Sequence, residues 1–157
     1  MTLEELARVT RNNVHRRKMW MQLMSFLALP FLCHKFRFAY FGGGFVSKKA
    51  KPGDIDLVLE TEESYGPEAF AAVSHFFVIG LDRIEALYGV DLHFWMRNAP
   101  SGLSDYRNFF QYDKKRNVAS PLSPSRGIVQ VDLRPPEMVD QLRRFIRGEI
   151  DEAASDK

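Results

Sequence analysis

The sequence holds a single cysteine, Cys33, among 157 residues. One thiol cannot close an intramolecular disulfide, and it excludes a multi-cysteine zinc site. It also fits a reducing compartment. The neighbouring His34 adds one potential ligand, but two adjacent ligands do not make a metal site, and a semi-buried thiol is the simpler reading. Long hydrophobic runs are missing too. The most apolar stretch, Met19 to Leu32, contains Gln22 and is broken by Pro30. It falls well short of the ~20 residues that span a bilayer. The first ten residues carry Glu4 and Glu5 and no apolar core, so no secretory signal is expected and the reading is a soluble, cytoplasmic chain without a membrane segment. Charge of one sign is not in excess: 22 Lys and Arg face 20 Asp and Glu, a net charge of +2. Such a balance does not by itself imply a nucleic-acid partner. Nucleophile-elbow, P-loop and dinucleotide-binding motifs are absent, as are internal repeats.

What is present suits one folded domain. Apolar residues make up 45% and charged residues 27%, ordinary for a globular protein. The length can bury a core without staples. Thr2 ahead of Glu4 and Glu5 predicts a helix start. Apolar spacing through Leu3 and Leu6, resumed at Val14 and clear at Trp20, Leu23, Met24 and Leu27, predicts one helix over residues 2–29 that Pro30 stops. Its basic run, Arg8, Arg11, His15, Arg16, Arg17 and Lys18, reads as a solvated face, with contact to a nucleotide or RNA as the functional alternative. Residues 35–41 alternate basic or small residues with aromatics and predict a strand. Residues 54–60, led in by Pro52-Gly53, predict a second strand, buried on both faces and central in the sheet.

A second helix follows, with Pro67 in its first turn, Phe70, Val73, Phe77, Leu81, Ile84 and Leu87 in helical spacing, and Gly89 as its stop. Residues 90–96 and 127–133 predict two more strands. Pro135-Pro136 open a last helix that carries Met138, Val139, Leu142, Phe145 and Ile146. The order α-β-β-α-β-loop-β-α predicts a single α/β (α+β) domain over residues 1–150, a central mixed sheet flanked by helices, with a frayed tail at 151–157.

The chemistry concentrates in residues 38–60, FAYFGGGFVSKKAKPGDIDLVLE. Asp54 and Asp56 are two apart at a strand start, so both carboxylates point to one face, about 7 Å apart along the backbone. Like charges so placed repel unless a cation lies between them. Hard oxygen ligands select Mg2+ or Mn2+. Asp91, flanked by Val90 and Leu92, starts the next predicted strand. Laid beside the first, it would complete a two-metal site. Gly42, Gly43 and Gly44 allow backbone N–H groups to approach phosphate oxygens. Lys48, Lys49 and Lys51 on the same loop could neutralise phosphate charge.

These residues resemble the signature of the nucleotidyltransferase superfamily that includes DNA polymerase β, CCA-adding enzymes and the small MNT antitoxins. That signature has a hydrophobic residue, Gly, then Gly or Ser, a spacer, a flanked Asp-x-Asp or Asp-x-Glu, and a later flanked carboxylate. Here it reads Phe41-Gly42-Gly43, ten residues, Asp54-Ile55-Asp56-Leu57, then Val90-Asp91-Leu92. The wider pattern, with FFQYDKKRN and RGIVQVDL, looks like a small bacterial and phage group of nucleotidyltransferase-like proteins, and the similarity spans roughly residues 35–133. The resemblance implies a nucleotidyltransferase-like domain. It implies an Mg-dependent enzyme that moves a nucleoside monophosphate from an NTP, with ATP the natural choice, to a hydroxyl acceptor on protein or RNA. Asp54, Asp56 and Asp91 would be its catalytic metal ligands, and Gly42, Gly43, Gly44, Lys48 and Lys49 would bind the nucleotide. A toxin or regulatory protein is the implied partner, because MNT proteins often pair with a toxin. A non-catalytic module of the same fold, acting as an antitoxin or regulator, is the alternative. One departure stands out: MNT proteins usually carry Ser where this chain has Gly43, so backbone amides would carry more of the phosphate binding.

Other candidates compete. Asp132, flanked by Val131 and Leu133, is a second choice for the third carboxylate; spacing favours Asp91. His93 shares the face of Asp91 and would either reach substrate or serve as a hydrogen-bonded structural histidine. Lys114, Lys115, Arg116 and Arg126 could bind triphosphate or remain solvated, and Phe109, Phe110 and Tyr112 could stack a base or pack in the core.

Overall fold

Two caps, not one long periodic run, organise the N-terminal helices. The computed structural model describes residues 1–29, 32–100 and 128–134, together with residues 138, 140, 142–144 and 147. Thr2 and Glu5 form a reciprocal capping box at the start of α1 (Leu3–Thr10). The single helix expected over residues 2–29 is instead divided. Asn13 accepts from the backbone N–H of Arg16 at 2.8 Å and starts α2 (Val14–Leu27). An Asn in that position competes for the backbone and favours a fresh start over continuation. The Thr10 hydroxyl donates back to Leu6 and accepts from the Trp20 indole at 2.9 Å, tying the two helices together. The second helix is also two: α4 (Pro67–Ile79) and α5 (Leu81–Tyr88) break at Gly80, whose φ of 101° only glycine adopts readily.

A short helix α3 (Leu32–Lys35) leads into β1 (Phe36–Gly42), so Lys35 is helical and not the start of the strand. A 3-10 turn follows at Gly43–Val46, then β2 (Ile55–Ser64), β3 (Val90–Arg97) and β4 (Val129–Asp132). Among the described residues the sheet order is β3-β2-β1-β4. β1 runs antiparallel to both β2 and β4, while β2 and β3 are parallel through the α4–α5 crossover. The fold is thus a mixed α+β domain with helices on a four-stranded sheet. As expected, β2 is central and buried along seven consecutive positions.

Alternation assigns the two sheet faces. Ala39, Phe41, Ile55, Leu57, Leu59, Val90 and Leu92 point to the helices, where they meet Trp20, Leu23, Phe26 and Ile84 in one core. Phe26, Phe36, Phe76 and Phe94 form a chain of tilted ring contacts at 5.4–6.0 Å, geometry that adds to simple area burial. Met138 and Leu142 are helical and join this core. Val139, Phe145, Ile146, the Pro135-Pro136 helix start, Pro30, the side chains of Cys33 and His34 and the tail 151–157 lie outside the described residues. Among the described residues no helix is long and apolar enough to cross a membrane.

The opposite sheet face is polar. Its register lines up Gly42 of β1, Asp56 of β2 and Asp91 of β3 across three neighbouring strands. Further along the same face, Tyr40 donates to Glu60 at 3.2 Å and Arg37 pairs with Glu60 at 3.4 Å.

Candidate metal centre

The parallel pairing of β2 and β3 decides which acids meet. Asp56 and Asp91 are direct register partners, and neighbouring strands lie about 4.8 Å apart. Asp54 immediately precedes β2. Each of the three offers a carboxylate oxygen, and these oxygens lie within 4.8 Å of one another. Asp56 is buried, while Asp54 and Asp91 are half-buried. Two oxygens at ~2.1 Å from one Mg2+ are at most about 4.2 Å apart, so small side-chain rotations close this set on an ion. The donors are all hard oxygens, which suits Mg2+ or Mn2+. Asp91 is also bonded to His93, with Nε2 3.2 Å from Oδ1. That contact fixes the Asp91 carboxylate and gives His93 an orienting role two residues along the same face.

Asp132 is not in this cluster. It sits on β4, opposite Phe38 of β1, and binds Arg134 through both carboxylate oxygens at 2.8 and 2.9 Å. The Arg134 guanidinium lies 5.0 Å from the centre of the Phe38 ring. Hydrogen bonds from Arg134 hold the Asp132 carboxyl below its ordinary value of 3.8. A depressed folded pKa stabilises the fold above the unfolded value, and that stabilisation is lost as pH falls through the folded value. The pair is half-exposed, so it contributes only ~0.2–1 kcal/mol. Asp132→Asn is therefore expected to lower the melting midpoint by about 1–3 °C at pH 7, with the two proteins converging as pH falls below 3.8. A gap that persists at acid pH would assign the effect to packing.

The glycine turn lies directly against the carboxylates. Gly43 has φ +66°, and a Cβ built on it would overlap Asp56 Oδ2 and lie 2.9 Å from Asp56 Cγ. The carboxylate occupies the space a side chain would need. This gives a physical reason for glycine at this position: in this arrangement a side chain here and Asp56 cannot both fit. Gly42 is still in β1, and Gly44 lies inside the 3-10 turn. Lys48, Lys49 and Lys51 are exposed on the loop that follows.

One member of the basic run departs from the solvated face expected from sequence, while Arg8 and Lys18 are exposed and Arg11, His15 and Arg17 half-buried. Arg16 is 1% exposed. Its guanidinium donates to the carbonyls of Thr10, Phe45, Gly44, Ser47 and Lys49 at 2.6–3.3 Å. Burial lowers its pKa below the usual arginine value, yet a guanidinium stays charged at physiological pH. Among the described residues no carboxylate pairs with it; carbonyl dipoles neutralise it instead. Asn13 adds a bond to Ala50 at 2.8 Å and His15 one to Pro52 at 2.7 Å. Three residues of one helix thus hold the loop between the glycines and Asp54. The signal was available: Arg16 falls in the helical phase of Trp20, Leu23 and Leu27, whereas its neighbour Arg17 does not.

Beside Asp91 a groove of about 650 Å3 opens between β3 and α4–α5. Its floor includes Phe70, Phe77 and Phe94, and Asp82 and Glu85 line it as well. Phe70 and Phe77, expected on the buried face of their helix, are 45% and 59% exposed. Val73 is buried as its spacing predicts, and Ala69, Ala72 and Phe76 take the other buried positions. Lys114, Lys115, Arg116, Arg126, Phe109, Phe110 and Tyr112 lie outside the described residues.

No curated protein and no solved structure gives a significant match to this chain. One family model matches residues 1–132, a span that contains Arg16, the glycine turn and all three clustered aspartates. The chain belongs to the family described as "Family of unknown function (DUF6932)".

Proposed function

We propose that this protein is an Mg-dependent nucleotidyltransferase that moves a nucleoside monophosphate from an NTP to a hydroxyl acceptor. The observation that carries the reading is the convergence of Asp54, Asp56 and Asp91, with ligand atoms within 4.8 Å, against the Gly43 backbone. Asp54 and Asp56 would hold the divalent ions together with Asp91. When bound, the ions supply charge cancellation and a lowered pKa for the acceptor hydroxyl. The acceptor oxygen forms a bond to the α-phosphorus while the bond to the bridging oxygen of the β-phosphate breaks, and pyrophosphate leaves. Asp91, oriented by His93, would take the acceptor proton. Gly42, Gly43 and Gly44 provide close backbone approach, and Lys48 and Lys49 neutralise the leaving phosphates.

The groove bears on the acceptor. Its aromatic lining and the acidic residues Asp82 and Glu85 suit an apolar or cationic group. A polyanionic RNA backbone would meet like charge there, so a protein acceptor is favoured over RNA. The test is incubation with each α-phosphate-labelled NTP, ATP first, with Mg2+ and cell extract. Label in protease-sensitive material that vanishes with chelator is expected. Label in RNase-sensitive material would overturn the choice of acceptor, and no chelator-sensitive label with any NTP would overturn the reading.

A further inference from the structure

We infer that Arg16 is a positioning residue for the candidate site. It fixes the loop between the glycine turn and Asp54 from behind, so that the outer side of that loop is presented to the triphosphate. The inference rests on the nucleotidyltransferase reading for its ligand, although the geometry stands without it.

Four of the five carbonyls that Arg16 binds lie in the glycine turn and the loop after it: Gly44 and Phe45 in the turn, Ser47 and Lys49 in the loop. A trans peptide carries its N–H and C=O on opposite sides of the plane. With the carbonyls of Ser47 and Lys49 drawn onto the guanidinium, the N–H groups of Lys48 and Ala50 are directed away from it. The exposed side chains of Lys48 and Lys49 leave the same outward segment. A buried, permanently charged guanidinium behind these peptides also adds favourable potential for an anion in front. The arrangement is specific to arginine, because a planar fork can serve several carbonyls at once while an ammonium is a compact point donor with three protons. Asn13 and His15 hold Ala50 and Pro52, the remaining stretch before Asp54. Helix α2 therefore determines the loop conformation, and none of its three anchoring side chains belongs to the carboxylate cluster.

The test compares wild type with Arg16→Lys, and with Asn13→Ala should Arg16→Lys fail to fold. Three probes are used: amide hydrogen exchange along the chain, Mn2+ titration of the free protein, and binding of ATP with Mg2+. Exchange within residues 43–53 is expected to rise about tenfold or more, while β2 and β3 remain protected. Mn2+ affinity should stay within about threefold, and ATP affinity should fall about tenfold or more. This split between metal and nucleotide is the mark of positioning, since a general loss of structure would weaken both. Loop exchange and ATP affinity within about twofold of wild type would overturn the inference, as would equal losses of Mn2+ and ATP binding. If wild type binds no ATP, the transferase reading fails, and loop exchange with Mn2+ affinity still decides the role of Arg16.

Discussion

The Asp56→Asn protein is expected to lose Mg-dependent nucleotidyl transfer while its metal-free form melts no lower than wild type. Asp56 is the buried member of the carboxylate cluster and lies between Gly42 and Asp91 in the sheet register. Asparagine keeps the shape but removes the charge that binds a divalent ion. Metal contributions to a phosphoryl-type transition state are several kcal/mol, so about a thousandfold loss in rate is expected. Stability should move the other way. Carboxylate oxygens within 4.8 Å of one another repel by roughly 3 kcal/mol per pair at an effective dielectric of ~20, and by less where the partners are half-solvated. Neutralising Asp56 relieves two such terms. In chelator, the variant is expected to melt at or a few degrees above wild type. Added Mg2+ should then raise the wild-type midpoint and leave the variant unmoved, since ligand at ten times its Kd contributes ~1.4 kcal/mol. Opposite signs in rate and metal-free stability separate a metal ligand from a structural acid. Unchanged transfer in the variant, or a midpoint that falls in chelator with no Mg2+ response in wild type, would sink the assignment.

Much of this site was legible because strands alternate. Alternation predicts that two aspartates two apart share a face, and they converge although Asp54 stands just before β2; a flanked aspartate after one crossover returns beside them when the strands are parallel. Asp91 and Asp132 are both flanked acids; spacing favours Asp91, and the strand order β3-β2-β1-β4 puts Asp132 on the far side of β1. The helices were harder. Apolar spacing runs through both breaks, and the breaks depend on single residues: the Asn13 cap, and the φ of Gly80. In α4 the spacing found Val73 but missed its neighbours, because Phe70 and Phe77 are as apolar as the buried Phe76, and small Ala69 and Ala72 carry little signal in a pattern. Arg16 was least visible. Charge in a basic run reads as solvated, and the carbonyls that accept from it belong to a loop about thirty residues away. The helical phase shared with Trp20, Leu23 and Leu27 points to burial, but local pattern does not report which backbone dipoles neutralise the cation at that separation.

Replacing Gly43 with serine tests how tightly turn and carboxylate are coupled. The substitution installs the hydroxyl of the Gly-Ser form of the nucleotidyltransferase signature, so a motif-based view expects activity to be kept or improved. The geometry predicts the reverse. At φ +66° a residue with a Cβ pays about 1–2 kcal/mol, and that Cβ would overlap Asp56 Oδ2. Either the turn opens or Asp56 rotates out of the cluster. A midpoint lower by at least about 3–8 °C is expected, together with loss of the Mg2+-dependent shift. Gly44→Ser is the control: its nearest contacts would be Lys49 Cδ at 3.3 Å and Pro52 Cβ at 3.4 Å, with Pro52 Cα at 3.9 Å, so the loss should be small. Adding Asp56→Ala to Gly43→Ser removes the overlap and leaves the backbone strain. The double variant should recover part of the midpoint, a coupling that only contacting residues show. If Gly43→Ser keeps the wild-type midpoint and Mg2+ response, Asp56 does not need the space beside Gly43, and the hydroxyl and the three-carboxylate cluster are compatible after all.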